Sequence, residues 1–140
     1  MDCAGKLLDI NKICVMGVLN VTTDSFSDGG QYVQPQQAVE RAMQMVEEGA
    51  AIMDIGGGST RPGAAAVSVE DELSRVIPVI KALVKAKIPV PISIDTSKPE
   101  VMMAAVKAGA GMINDVRALQ EPDALDAVKR LQVPVCLMHM

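Results

Sequence analysis

Five short apolar runs, rich in β-branched residues, recur along the chain: ICVMGVL at 13–19, AIMDI at 51–55, VPISID at 90–95, GMIND at 111–115 and VPVCLMHM at 133–140. Near-continuous hydrophobicity marks strands covered on both faces. Between them the apolar period lengthens to that of helices. Over 35–48 it places Ala38, Val39, Ala42, Met43 and Val46 on one stripe and stops at Gly49. Over 69–86 it turns Leu73, Val76, Ile77, Ile80, Leu83 and Val84 inward, with Ser68 as cap and Glu70, Asp71 and Glu72 in a first turn whose dipole favours acids. Pro78 inside that helix removes a backbone donor and predicts a kink. A third helix is expected from Pro99 to Gly109 and a fourth from Pro122, both prolines pre-set for a first helical turn. The order β-α-β-α-β-α-β-α-β implies a parallel sheet, because helical crossovers join parallel strands. A five-stranded doubly wound sheet and part of a (β/α)8 barrel both fit. Residues 1–12 read as a leader and 13–140 as one unit.

Polar residues gather where these strands end. The first runs to Asn20, the second carries Asp54, the third ends at Asp95, the fourth at Asn114 and Asp115, and the fifth at His139. All carboxyl ends of a parallel sheet lie on one side, the rim where either architecture binds ligands. Two polar loops leave that rim, NVTTDSFSDGG at 20–30 and GGGSTRPGA at 56–64. The second offers backbone N–H groups, hydroxyls and Arg61 to an anion, yet no lysine follows as in a P-loop. Hard oxygen donors suit Mg²⁺ together with phosphate oxygens and water. One histidine cannot build a zinc site. Carboxylates such as Asp54 and Asp95 accept two N–H donors side by side, which matches an amino-substituted heterocycle.

Composition narrows the partners. The 140 residues are 49% hydrophobic and 21% charged, which suits one globular domain with a real core. A net charge of −4 argues against nucleic acid or an anionic membrane surface as the main partner. Three cysteines cannot all pair, so free thiols in a cytoplasmic protein are expected. No apolar stretch reaches the roughly 20 residues that span a bilayer. Ten methionines fill core space that one Phe, one Tyr and no Trp leave open.

The stretches MGVLNVTTDSFSDGG, DIGGGSTRPGA, SIDTSKPEV, INDVRAL and PVCLMHM, in this order from about residue 13 to the end, closely resemble the dihydropteroate synthases of the folate pathway. The resemblance implies a TIM (β/α)8 barrel of which the first five strands and four helices are present. It implies a cytoplasmic transferase that joins 6-hydroxymethyl-7,8-dihydropterin diphosphate to 4-aminobenzoate and releases diphosphate, a homodimer at full length and a target of sulfonamides. It further implies that Asn20 helps hold Mg²⁺ and that Asp54, Asp95 and Asn114 line the pterin pocket, Asp54 and Asp95 being the catalytic candidates. Thr60 and Arg61 are then substrate-binding residues of the second loop, while Asp24, Ser25 and Phe26 shape the aminobenzoate site from the first.

Two positions depart from that family's pattern: Thr23 stands where proline is typical and Gly58 where glutamate is typical. Both substitutions increase backbone freedom. A whole barrel needs roughly 250 residues, so a fragment or truncated product is expected, poorly active alone, with strand edges left open. The family's later anion-binding segments have no counterpart here. The alternatives are a non-catalytic remnant and a flavodoxin-like binding module. A phospho-receiver of that second class wants an acidic pair after the first strand and a lysine after the fifth, where Asn20 and His139 stand. His139 itself is expected to pack at the rim and is left out of the catalytic set.

Overall fold

The computed structural model describes residues 1–21, 34–58 and 67–139. The elements within them are β1 (Asp2–Cys3), β2 (Lys6–Leu7), β3 (Val15–Asn20), α1 (Pro35–Glu47), β4 (Ala50–Gly56), α2 (Val69–Lys85), β5 (Ile92–Asp95), α3 (Pro99–Ala108), β6 (Met112–Asp115), α4 (Ala124–Leu131) and β7 (Val135–Leu137). The five apolar runs are β3 to β7. They pair in parallel in sequence order, β3-β4-β5-β6-β7.

That order decides between the two architectures. A doubly wound sheet reverses its strand order once and thereby carries helices on both faces. Here each strand is added beside its predecessor, and right-handed crossovers then send every helix to the same face. Accordingly α1 packs on α2, α2 on α3 and α3 on α4. The chain forms a five-stranded sector of a barrel wall with one helical jacket.

Local chemistry sets most element ends where the sequence predicts them. The Ser68 hydroxyl accepts the Asp71 amide at 3.1 Å and caps α2. Gly109 ends α3 with φ of +131°, and a Cβ there would lie 2.5 Å from Val84 Cγ2, so only glycine fits against the neighbouring helix. α2 continues through Pro78. Its buried stripe is Glu72, Val76, Val79, Ile80 and Leu83, whereas Val84, expected inward, is 44% exposed. Pro122 does not open the fourth helix. Asp123 takes a left-handed conformation at φ 66°, and the helix starts one residue later at Ala124. No helix among the described residues is long and apolar enough to cross a membrane.

The core lies between sheet and helices. Leu19, Met53, Ile55, Ile92, Ile94 and Ile113 meet Ala42, Val76, Ile80, Leu83 and Met102 there, all fully buried. Each large aliphatic side chain so covered contributes about 1.5–3 kcal/mol. A second cluster sits at the amino ends of the strands, where Cys3 and Leu8 close over Ile52 and Met112. The β1–β2 hairpin, within a stretch where the hydrophobic pattern predicts no element, supplies this closure. Lys6 Nζ pins it by donating to Ile88 O at 2.7 Å, and burial lowers the pKa of that ammonium. The hairpin approaches Gly111 so closely that a Cβ there would lie 2.3 Å from Cys3 O.

Gly111→Ala is therefore expected to push the hairpin off the strands, at a cost of about 1–3 kcal/mol. In a Cys14→Ser, Cys136→Ser background the change should lower the thermal midpoint and speed thiol labelling of Cys3, which is 2% exposed in the native fold. Unchanged labelling would show that the hairpin tolerates the added methyl.

Candidate functional site

Alternation along the strands defines two faces. Leu19, Met53, Ile55, Ile92, Ile94 and Ile113 lie under the helices, so their neighbours in sequence line the concave face. The parallel register sets Asn20, Gly56, Asp95, Asn114 and Cys136 in one row across all five strands. Val18, Asp54, Ser93 and Met112 form the row nearer the amino ends. The four residues expected to form a common site, Asn20, Asp54, Asp95 and Asn114, thus occupy two adjacent rows of one surface.

Their atoms converge. A Cβ built on Gly56 would lie 3.5 Å from Asn20 Oδ1 and 3.5 Å from Asp95 Oδ2, so these two oxygens flank a bare stretch of backbone. One strand over, Asn114 Nδ2 donates to Asp54 Oδ2 at 3.2 Å. Asp54, Ser93 and Asn114 are all buried. Asp54 Oδ1, Asn114 Oδ1 and Ser93 Oγ are buried without a hydrogen-bond partner among the described residues. An unpaired buried polar atom costs about 1–3 kcal/mol, so three together mark acceptors held for a ligand or water.

Electrostatics follow from this burial. Burial raises the pKa of Asp54, opposed by the Asn114 amide and by the neighbouring Ser93 hydroxyl. Asp95 is pushed up to about 6, first by burial and then by the negative charges of Asp54, Glu72 and Asp115. Burial disfavours the charged form of both carboxylates, which N–H donors brought by a ligand would offset.

The family described as pterin binding enzyme matches residues 16–140. The chain belongs to the pterin binding enzyme family. It is 56% identical over 136 residues to the dihydropteroate synthase of Escherichia coli strain K12, across 97% of this chain and 48% of that one. Its fold superposes on Xanthomonas albilineans dihydropteroate synthase with 4-aminobenzoic acid at a TM-score of 0.93 and 62% identity, covering 99% of this chain and 51% of that one. It likewise matches the same organism's enzyme in complex with 7,8-dihydropteroate, at a TM-score of 0.87 and 57% identity over 99% and 50% of the two chains. The chain spans about half the length of the curated relatives it matches.

Among the expected site residues, Asp24, Ser25, Phe26, Thr60 and Arg61 lie outside the described residues, as does Thr23. Asp115, grouped with the rim by its place in sequence, serves the scaffold instead. It shares the helix-covered face of Ile113, two residues before it, and is fully buried, accepting Ser97 Oγ at 2.5 Å and the Arg117 and Leu119 amides at 2.9 Å. His139 lies exposed beyond β7 rather than packed at the rim. Three partners went unread: Ser93, and the pair Glu72 and Thr96. Alternation back from Asp95 marks Ser93 as concave-facing. Glu72 carries no such signal, because an acid in a first helical turn ordinarily points to water.

The raised Asp95 pKa has a signed consequence. A carboxyl whose folded pKa exceeds its ordinary 3.8 binds more protons in the native than in the unfolded chain, so its contribution to stability is lost as pH rises towards about 6. Asp95→Asn should therefore gain thermal midpoint over the parent as pH rises from about 4 to about 7. A constant difference between the two melting curves would place Asp95 in a solvated setting.

Proposed function

We propose that this chain carries the pterin half of a dihydropteroate synthase site, acting in the cytoplasm on 6-hydroxymethyl-7,8-dihydropterin diphosphate and 4-aminobenzoate. The observation that carries the reading is the buried Asp54–Asn114–Ser93 set, with three polar atoms unpartnered beside Asp95. A pterin presents an amino group and ring N–H donors on one edge and a carbonyl beside them. Carboxylates at 54 and 95 accept the first. The Asn114 amide is committed through Nδ2 to Asp54, which leaves its Oδ1 as a further acceptor. The three free cysteines accord with a reducing compartment.

In the reaction, the bond between the pterin methylene carbon and the diphosphate oxygen breaks, and its electron pair leaves with diphosphate. The methylene carbon is left cationic, supported by the ring electrons and by the two carboxylates. The aminobenzoate nitrogen then donates its lone pair to that carbon and releases a proton to solvent. No strong base is needed, because the attacking amine is already nucleophilic and the electrophile is a cation. Asp54 and Asp95 bind and orient the ring and stabilise positive charge. Thr60 and Arg61 are assigned to substrate in the second loop, and Asp24, Ser25 and Phe26 to the aminobenzoate side.

Mg²⁺ fits the donors present. Asn20 Oδ1 flanks the bare Gly56 backbone as a hard oxygen ligand. The described residues hold no group of three or more His, Cys, Asp or Glu that would cage an ion. Such a site matches an ion held mostly by phosphate oxygens and water, as Mg²⁺ usually is. Bound there by Asn20, it would neutralise charge on the departing diphosphate.

Titration of the chain with 6-hydroxymethylpterin, read by the ligand's fluorescence, tests the pterin half of this reading. Asp54→Asn and Asn114→Ala should each weaken binding about 10- to 100-fold, the loss expected for a hydrogen bond to a charged or buried partner. Asn20→Ala should leave pterin affinity unchanged and abolish any Mg²⁺ enhancement of pterin diphosphate binding. Equal pterin affinity in parent and Asp54→Asn would refute the assignment.

A further inference from the structure

We infer that Glu72 is a positioning residue for the pterin site: from the first turn of α2 its carboxylate ties that helix to the exit of β5 and so fixes the Asp95 side chain against its ligand. The inference rests on the pterin reading above. Glu72 is 4% exposed, at a helical position where acids normally face water. Its partners lie on the β5–α3 turn and not on its own helix. One carboxylate oxygen accepts the Thr96 hydroxyl and the other pairs with Lys98 Nζ at 3.0 Å.

Thr96 follows Asp95 directly in sequence, and Lys98 comes two residues after Thr96. Thr96 Oγ1 accepts the Lys98 amide at 3.2 Å, and the Thr96 amide donates to Asn114 O at 3.1 Å. The turn is thereby bound to β6 as well as to α2. On its other side Glu72 abuts the exit of β4, where a Cβ on Gly57 would lie 3.2 Å from Glu72 Cγ. Arg75, on the same stretch of α2, donates Nη1–H to Gly57 O at 2.8 Å. One end of one helix therefore grips both loops that leave the site-bearing strands.

Neither ordinary explanation of an acid at this position accounts for the geometry. The capping role belongs to Ser68, and Glu70 and Asp71 already place negative charge in the first turn. A solvated surface acid would not be enclosed with a threonine hydroxyl and a lysine. Burying a carboxylate is unfavourable unless hydrogen bonds and a counter-charge compensate it, and both come from the β5 exit. Loss of this tie frees the backbone next to Asp95, and a displacement of one ångström there is enough to degrade a ligand hydrogen bond.

The test uses the full chain with Glu72→Gln, which keeps size and one acceptor oxygen but loses the charge facing Lys98, and Thr96→Val, which keeps shape and leaves the Glu72–Lys98 pair. Each is made in the parent and in Asp95→Asn, and each is titrated with 6-hydroxymethylpterin. Action through Asp95 predicts about a 10-fold loss of affinity in the parent background and less than about a threefold loss in Asp95→Asn, a non-additivity that general destabilisation does not produce. Equal losses in both backgrounds, or none, overturn the role. Amide hydrogen exchange without ligand provides an independent arm: the backbone amides at positions 96 and 98 should exchange faster in both variants while that of Asp54 does not. Unchanged exchange overturns the tie itself. Faster exchange in the variants, together with a parent chain that binds no pterin, retains the tie and refutes the pterin reading.

Discussion

Everything about the site depends on the register of a parallel sheet. Side chains alternate across a strand with a period of two, and parallel pairing keeps equivalent positions level. Asn20, Gly56, Asp95 and Asn114 consequently share a row on the concave face, with Asp54 and Ser93 one row below. A one-residue slip in β5 would bury Asp95 among the helices and present Ile94 to the ligand. The apolar residues that alternate with the polar ones prevent that slip, since exposing Ile92 and Ile94 would forfeit the burial that holds the helices on. The same hydrophobic pattern that builds the wall also aims the chemistry.

Three aspartates near the strand ends are buried to different purposes. Asp115 has its oxygens occupied by a serine hydroxyl and two turn amides; it shapes the chain leaving β6. Asp54 and Asp95 have raised pKa values because fixed donors do not fully offset their burial. Satisfied carboxylates hold structure and incompletely satisfied ones await a partner. On this criterion the concave face, and not the helical side, presents buried acceptors without fixed partners.

The supports of the site come from outside it. The β1–β2 hairpin closes the amino ends of the strands by resting on Gly111, while the amino end of α2 grips their carboxyl ends through Glu72 and Arg75. Val18 on β3 and Leu137 on β7, at the two sheet edges, are each 53% exposed. The wall is thus braced along its strands at both ends and open at its flanks.

Strand and helix identity, the parallel sheet and the gathering of Asn20, Asp54, Asp95 and Asn114 were legible in the chain itself, because hydrophobic period and strand-end position are local properties. Motifs such as SIDTSKPEV and INDVRAL added the family and hence the barrel. Other features depended on contacts distant in sequence. Strand order separates a barrel wall from a doubly wound sheet, and order is a matter of which edges pair. Asp115 and Asn114 are adjacent in sequence yet face opposite sides, so their roles divide only when the pleat is built. Glu72 reads as a solvated helix-turn acid until folding brings Thr96 and Lys98, more than twenty residues away, against its carboxylate. A sequence declares what each segment prefers alone; which buried charge meets which partner is decided by packing, because that energy exists only after distant segments have excluded the water between them.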